Sequence, residues 1–497
     1  IRGATVQAIS SPGNTVLDET VASAGGTFAL DVPSQTDVFI RVRAELKQAG
    51  SPSWDVEVRD NTSETALPLG ERPLYVLDGP VFNSGVADSS RDLLAATGWT
   101  GSAYTEPRAA APFSVLDVMY RATQFAAGAD PTVSIDPLDV FWSVNNTPAV
   151  GSIELGEIGT SFYRRDARSL FLLGDAALDT EEFDTHVVAH EWGHHFEEVL
   201  SRADSPGGSH TLDARLDARL AFGEGWGNAV GAMVMDDPVY FDTFVADSFG
   251  FSLESYDTAG MAGWYNEASV QSILWDLYDS AADDGDTLSL GFGPIYDILT
   301  GSQRATPAVT SVFSFLEGLK TARPADAAAI DALVSDENLD AIDNIWGDGE
   351  TNDPGVTDLT PIHAELFVGG GPVNVCTTRE FDGGDGNRLG IFRYLRFTVG
   401  TAGNYRIAVT TTNPPATAGQ FSDPDFFVLD EGQLVLEPDL YLTGAANSES
   451  VDLIALPAGT YVIELLEAGF PNVYGYFSSS DPLSQTEMCF DVSLTQI

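Results

Sequence analysis

Lysine is nearly missing from this 497-residue chain. It occurs only at Lys47 and Lys320, and Lys plus Arg total 23 against 74 Asp plus Glu. The formal net charge of −51 leaves no basic face for phosphate, so nucleic acid and anionic membrane are excluded as partners. No apolar run approaches the ~20 residues of a membrane helix, so no membrane span is expected. Cysteine is almost as scarce. The only two, Cys376 and Cys489, fall in the last quarter of the chain, a pattern that predicts one disulfide in an oxidising compartment, with two buried thiols as the alternative. The chain opens Ile1-Arg2-Gly3 with neither a basic n-region nor an apolar h-region, so an exported form is expected to have shed its leader. An acidic, lysine-poor surface suits a protein kept soluble in a salty, halophilic or marine medium, or one that binds divalent cations.

The hydrophobic content of 43% is ordinary globular usage, and the length accommodates roughly two to four domains. From residue 1 to 67 short β-rich runs such as Ala4–Ile9 and Val38–Val42 alternate with turn clusters, predicting a small β-sandwich. Residues 68–366 turn to longer, Ala-rich segments of helical period, among them Pro112–Ala127, Phe183–Leu200, Gly225–Met235 and Asn266–Ser280. After Gly369-Gly370-Gly371-Pro372, residues 367–497 return to alternating strands.

Chemistry concentrates in Asp184–Leu200, which contains H-E-x-x-H at His190, Glu191 and His194. On a helix, residues four apart share a face, so both imidazoles can meet one zinc ion while Glu191 reaches its water. With six His and 27 Glu in the chain, chance would produce this pattern about 0.004 times, so coincidence is a poor explanation. Glu197 and Leu200 stand where a metzincin has its Gly and third His, which excludes that class. Ala221–Asn228, with Glu224 near the start of a second apolar helix, offers a carboxylate that could complete a His₂Glu site. Asp213 and Asp217 are the alternatives for that third position.

The sequence "GATVQA…GGTFALDVP…VFIRVRAEL" resembles the transthyretin-like (carboxypeptidase regulatory-like) domain of exported enzymes. "YLRFTVGTAGNYRIAV…DPDFFVLD…LPAGTYVIELLE" resembles the pre-peptidase C-terminal β-sandwich of secreted bacterial peptidases. H-E-x-x-H followed by Gly223-Glu224-Gly225-Trp226-Gly227-Asn228 resembles the gluzincins, in particular the thermolysin-like and fungalysin-like metallopeptidases. That last resemblance implies zinc ligands His190, His194 and Glu224, general base Glu191, and Ser169–Gly174 as an edge strand on which a substrate peptide lies. Asn228 stands where these families place an Asp that orients a zinc-bound His; its carbonyl oxygen can still accept an imidazole N–H. Their downstream oxyanion His is missing, so Tyr265 is the first candidate donor and His210 the second. His186 is expected to support the ligand face and His195 to be solvated.

These readings predict a multidomain chain, an α+β zincin catalytic domain flanked by two all-β sandwich domains. The expected function is that of a secreted, monomeric zinc endopeptidase acting on protein or peptide substrates. An adhesin-like binding protein with a structural or inactive zinc site is the alternative. Calcium is a candidate structural cofactor at Trp346–Asp353 and Asp423–Asp425, with solvated carboxylates as the simpler account of both.

Overall fold

The computed structural model describes the chain except for residues 245–246, 259, 281–287, 357, 382–386, 418, 437–446 and 471–482. The architecture is mixed α/β and multidomain. By packing, Ile1–Leu200 with Gly227–Leu253 form one unit, and Ser201–Trp226 with Glu254–Ile497 another.

The first unit is built on a nine-stranded sheet. Its strands are β1 (Ala4–Ser10), β2 (Val16–Val21), β3 (Asp37–Gln48), β4 (Trp54–Arg59), β5 (Val76–Asp78), β6 (Phe82–Asn83), β7 (Leu138–Trp142), β8 (Phe162–Arg164) and β9 (Ser169–Leu172). They run in the order β2-β1-β3-β4-β7-β9-β8, with β5 and β6 paired to β3. The separate sandwich expected over residues 1–67 is therefore not formed. Instead β4 pairs in parallel with β7, from Val56↔Leu138 to Arg59↔Phe141, and β7 in parallel with β9. Val56 and Val58 are buried and need a partner strand, which arrives through a long crossover carrying helix α1 (Ala111–Ala129). Ala111, Val115, Met119, Ala122 and Ala126 recur at helical spacing on its buried face, which packs on β3 and β4.

Strand β9 corrects a second expectation. Ser169–Gly174 is not a free edge, because β8 lies outside it from Phe162↔Phe171 to Arg164↔Ser169, and all four β9 residues are buried. The cause is aromatic: Phe171 stacks on Phe141 and Phe162, with ring centroids 4.9 and 5.1 Å away, and burying that stack recruits β8. A smaller sheet follows in the order β10 (Gly174–Asp175), β11 (Asp179–Thr180), β12 (Val239–Phe244) and β13 (Asp247–Ser252).

Two helices carry the zinc-type motif, α2 (Thr185–Leu200) and α3 (Ala218–Met235). Helix α3 is buried almost all round, as an apolar helix without a polar face must be. From Gly227 onward it packs against α2 through glycine. A Cβ on Gly227 would stand 2.7 Å from His190 Cε1, and one on Gly231 would stand 3.2 Å from the His186 carbonyl oxygen. The helix accepts the propensity cost of glycine, about 1 kcal/mol per residue, and in return its backbone reaches the His190 ring.

The second unit holds α4 (Glu267–Tyr278), α5 (Phe292–Ile298), α6 (Val312–Ala322) and α7 (Ala327–Asp336). Asn266 caps α4 by accepting from Ser269 N at 3.1 Å. Residues 363–496 form two sheets. One orders β14 (His363–Leu366), β16 (Phe392–Val399), β21 (Gly459–Glu467), β18 (Pro424–Asp430) and β19 (Gln433–Leu436). The other orders β15 (Val373–Thr378), β22 (Glu487–Gln496), β17 (Gly403–Thr411) and β20 (Ser448–Leu456). Tyr405, Ile407 and Val409 on β17, with Met488, Phe490, Val492 and Leu494 on β22, are buried at period two, the signature of an inner sandwich face. The expected disulfide is present: Cys376 and Cys489 sit directly opposite on β15 and β22 and are bonded. Among the described residues no helix is long and apolar enough to cross a membrane.

Candidate metal centre

Helix α2 sets His190 and His194 one turn apart, with their rings 4.8 Å between centroids and their Nε2 atoms 3.1 Å apart. His190 Nδ1 lies 2.8 Å from Asn228 Oδ1. An amide oxygen only accepts, so Nδ1 carries the proton and Nε2 turns its lone pair toward His194. That tautomer is the one a metal ligand needs. The close approach of Gly227 to the same ring makes this contact possible.

Glu224 stands one turn before Asn228 on the continuous helix α3, so the residue that orients His190 also brings a carboxylate. His190, His194 and Glu224 each offer a donor atom, and the three lie within 4.8 Å of one another. Two imidazoles and a carboxylate are the protein donor set of a catalytic zinc site, which takes water as its fourth ligand, so these residues fit that metal. Glu191 follows His190, is 7% exposed, and has Oε2 buried with no hydrogen-bond partner among the described residues.

His210 is brought to Glu224. Its Nε2 lies 3.2 Å from Glu224 Oε2, and its Nδ1 lies 2.7 Å from Glu267 Oε2. A carboxylate oxygen only accepts, so His210 Nδ1–H donates to Glu267 Oε2. Glu267, in the first turn of α4, is a positioning residue the sequence reading passed over; an acid right after a capping Asn was its only local signal.

Tyr265 is not brought to Glu224. Its ring is 2% exposed, and its hydroxyl donates toward the Ala262 carbonyl and Asn352 Oδ1, each at 3.2 Å. Asp217 is held by Arg219 at 2.9 Å and by the Tyr394 hydroxyl at 2.5 Å, Asp213 accepts from Tyr256, and neither joins the group of His190, His194 and Glu224. Asp348, in the first candidate calcium run, is held by Arg396 at 3.0 and 2.9 Å.

The two flanking histidines are structural. His195 is fully buried rather than solvated. Its Nε2–H donates to the Asp136 carbonyl at 3.1 Å, leaving Nδ1 to accept from the Tyr163 hydroxyl at 3.2 Å. Burial lowers it to about 4, so it is neutral near pH 7. His186 donates to the Asp237 carbonyl at 3.1 Å, which holds the start of α2 beside the segment that follows α3. Tyr240 on β12 was not anticipated. Its ring sits 5.7 Å from His186 and 6.5 Å from His190. Burial and then Glu181 and Asp242 push its hydroxyl well above the ordinary tyrosine value.

The profile of the family described as Mycolysin C-terminal domain matches residues 142–325, a span that contains His190, Glu191, His194, His210 and Glu224. Among curated proteins nothing matches the chain. Solved structures with local likeness include the pre-peptidase C-terminal domain of collagenase from Bacillus anthracis, at 10% identity, covering 27% of this chain and 93% of that one, with TM-score 0.17. The surface-associated copper-binding protein CorA of Methylomicrobium album BG8 is 8% identical, covers 27% of this chain and 99% of that one, and scores 0.19. The periplasmic lysozyme inhibitor PliG of Aeromonas hydrophila is 12% identical, with 27% and 98% coverage and a score of 0.14. Scores this low carry no argument. The family match does, and it points to a peptidase-family protein.

Proposed function

We propose that the chain is a secreted, gluzincin-type zinc endopeptidase with His190, His194 and Glu224 as ligands and Glu191 as general base. The observation that carries this reading is the convergence of those three donors, with His190 held by Asn228 in the tautomer that frees Nε2. When bound there, zinc would polarise the scissile carbonyl and acidify a water molecule.

The protein's own residues do the rest. Glu191, beside a ligand and buried, takes the proton of the attacking water and returns it to the leaving amine. His210, steadied by Glu267, has its Nε2 at the ligand Glu224 and donates to the oxyanion in place of Tyr265. Asn228 keeps the His190 ring from turning. Truncating it in Asn228→Ala is expected to weaken zinc binding by about 10- to 100-fold, and Asn228→Asp to tighten it by adding charge; competition against a chromophoric chelator measures both.

The test is casein cleavage by the purified full chain, with zinc content determined in the same samples. Zinc at parity with protein, activity lost on chelation and regained with zinc is the expected result. Zinc at parity without cleavage of any protein substrate would turn the reading toward a binding protein.

A further inference from the structure

A second group of converging donors stands apart from the three zinc-type ligands. Asp179 on β11, Glu181 in the turn that follows it, and Asp242 on β12 each offer a carboxylate oxygen, and these lie within 4.8 Å of one another. The antiparallel pairing of β11 with β12 at Asp179↔Phe244 brings them together. Two of the three are deeply buried, Asp179 at 6% and Glu181 at 4% exposure. Asp179 Oδ1, Glu181 Oε2 and Asp242 Oδ1 are all buried with no hydrogen-bond partner among the described residues. A buried carboxylate oxygen without a partner is costly, and three together are costlier.

We propose that Asp179, Glu181 and Asp242 bind a divalent cation of the calcium class. The donor set is all hard oxygen, which selects calcium or magnesium over zinc. Even at the 4.8 Å limit a point equidistant from the three oxygens lies about 2.8 Å from each, so a small inward movement suffices for the calcium–oxygen distance of about 2.3–2.6 Å, and magnesium, at about 2.0–2.1 Å, would draw them closer still. Without a cation the charge has to be removed by protons. Burial, then Asp242 and Asp184, push Asp179 up to about 7, and burial carries Glu181 well above the carboxylate range.

The location gives the ion a task. Asp242 lies two residues from Tyr240 and therefore on the same face of β12, and the Tyr240 ring packs on His186 and His190 of α2. An ion joining β11 to β12 would steady the strand that backs the first ligand histidine.

The experiment uses the full chain in moderate salt, with calcium and zinc measured together by elemental analysis, calcium binding by calorimetry, and thermal midpoints recorded with and without calcium chloride. Parent protein is expected to bind calcium saturably and to melt several degrees higher with it. Glu181→Gln and Asp242→Asn are expected to lose that calcium and that shift while keeping zinc. Two results would overturn the proposal: variants that keep the parent's calcium content and shift, or a parent with no saturable calcium binding whose variants melt higher in calcium-free buffer, which would mean the carboxylates share protons. If neither variant folds, calorimetry on the parent decides alone.

Discussion

Glu191→Gln is expected to lower casein or peptide cleavage by about two to four orders of magnitude while zinc content and thermal midpoint stay at parental values. Glutamine keeps the size of the side chain and its place beside His190, so the packing of α2 is not disturbed. What it removes is a basic oxygen. Glu191 Oε2 is buried and has no partner among the described residues, so no hydrogen bond of the fold is lost with it, and the change falls on proton transfer. Neither His190 nor His194 depends on Glu191: His190 is held by Asn228, and the two Nε2 atoms face each other. A variant that cleaves at the parental rate would remove Glu191 as the base, and one that loses zinc would make it a structural residue. Parallel measurement of rate and metal content separates the two.

Arg108→Ala is expected to cost about 3–5 kcal/mol of folding stability, read from denaturant unfolding. Arg108 is 6% exposed and Glu182 is 1% exposed. The guanidinium donates to Glu182 Oε1 and to the Gly174 carbonyl, and it lies over the rings of Tyr104 and Trp142, each centroid 5.2 Å away. Glu182 also accepts from Trp142 Nε1 at 3.1 Å. Even so, burial outweighs the pairing and keeps Glu182 above the ordinary glutamate range. The ion pair is therefore modest as a net source of stability, and the cost of the variant comes mainly from stranding a buried carboxylate. The sign of the pH dependence follows. A carboxyl raised in the folded state contributes stability that is lost as pH rises through its folded value, and removing Arg108 raises Glu182 further. The deficit of the variant should thus shrink as pH falls below the raised Glu182 value and be largest above it. A deficit that is independent of pH would place the cost in lost packing of the guanidinium instead.

What could be read from the sequence was local. His190, Glu191 and His194 sit within one helical turn, so their spacing alone implied a shared face, and Glu224 to Asn228 is again one turn of one helix. Where a side chain's aim depends on distant partners, it could not be read. The Tyr265 hydroxyl is turned by Asn352, far along the chain, and His210 is steadied by Glu267, a residue with no motif of its own. The acidic trio could not be seen because strand pairing between β11 and β12, not spacing, assembles it. The same physics explains the sandwich predicted over residues 1–67: its strands alternate as an independent sandwich would, and only the parallel pairing of β4 with β7 shows that they belong to a larger sheet. Ser169–Gly174 looked like an edge for want of any sign that Phe162 would stack on Phe171.

The bond between Cys376 and Cys489 spans 113 positions of sequence and encloses the strands from β16 to β21. A backbone cut anywhere inside that loop therefore leaves two pieces still joined covalently. Held at high effective concentration, their strands can re-pair instead of drifting apart. The cross-link works as a retaining clip: the sandwich can be nicked in an exposed turn without being shed.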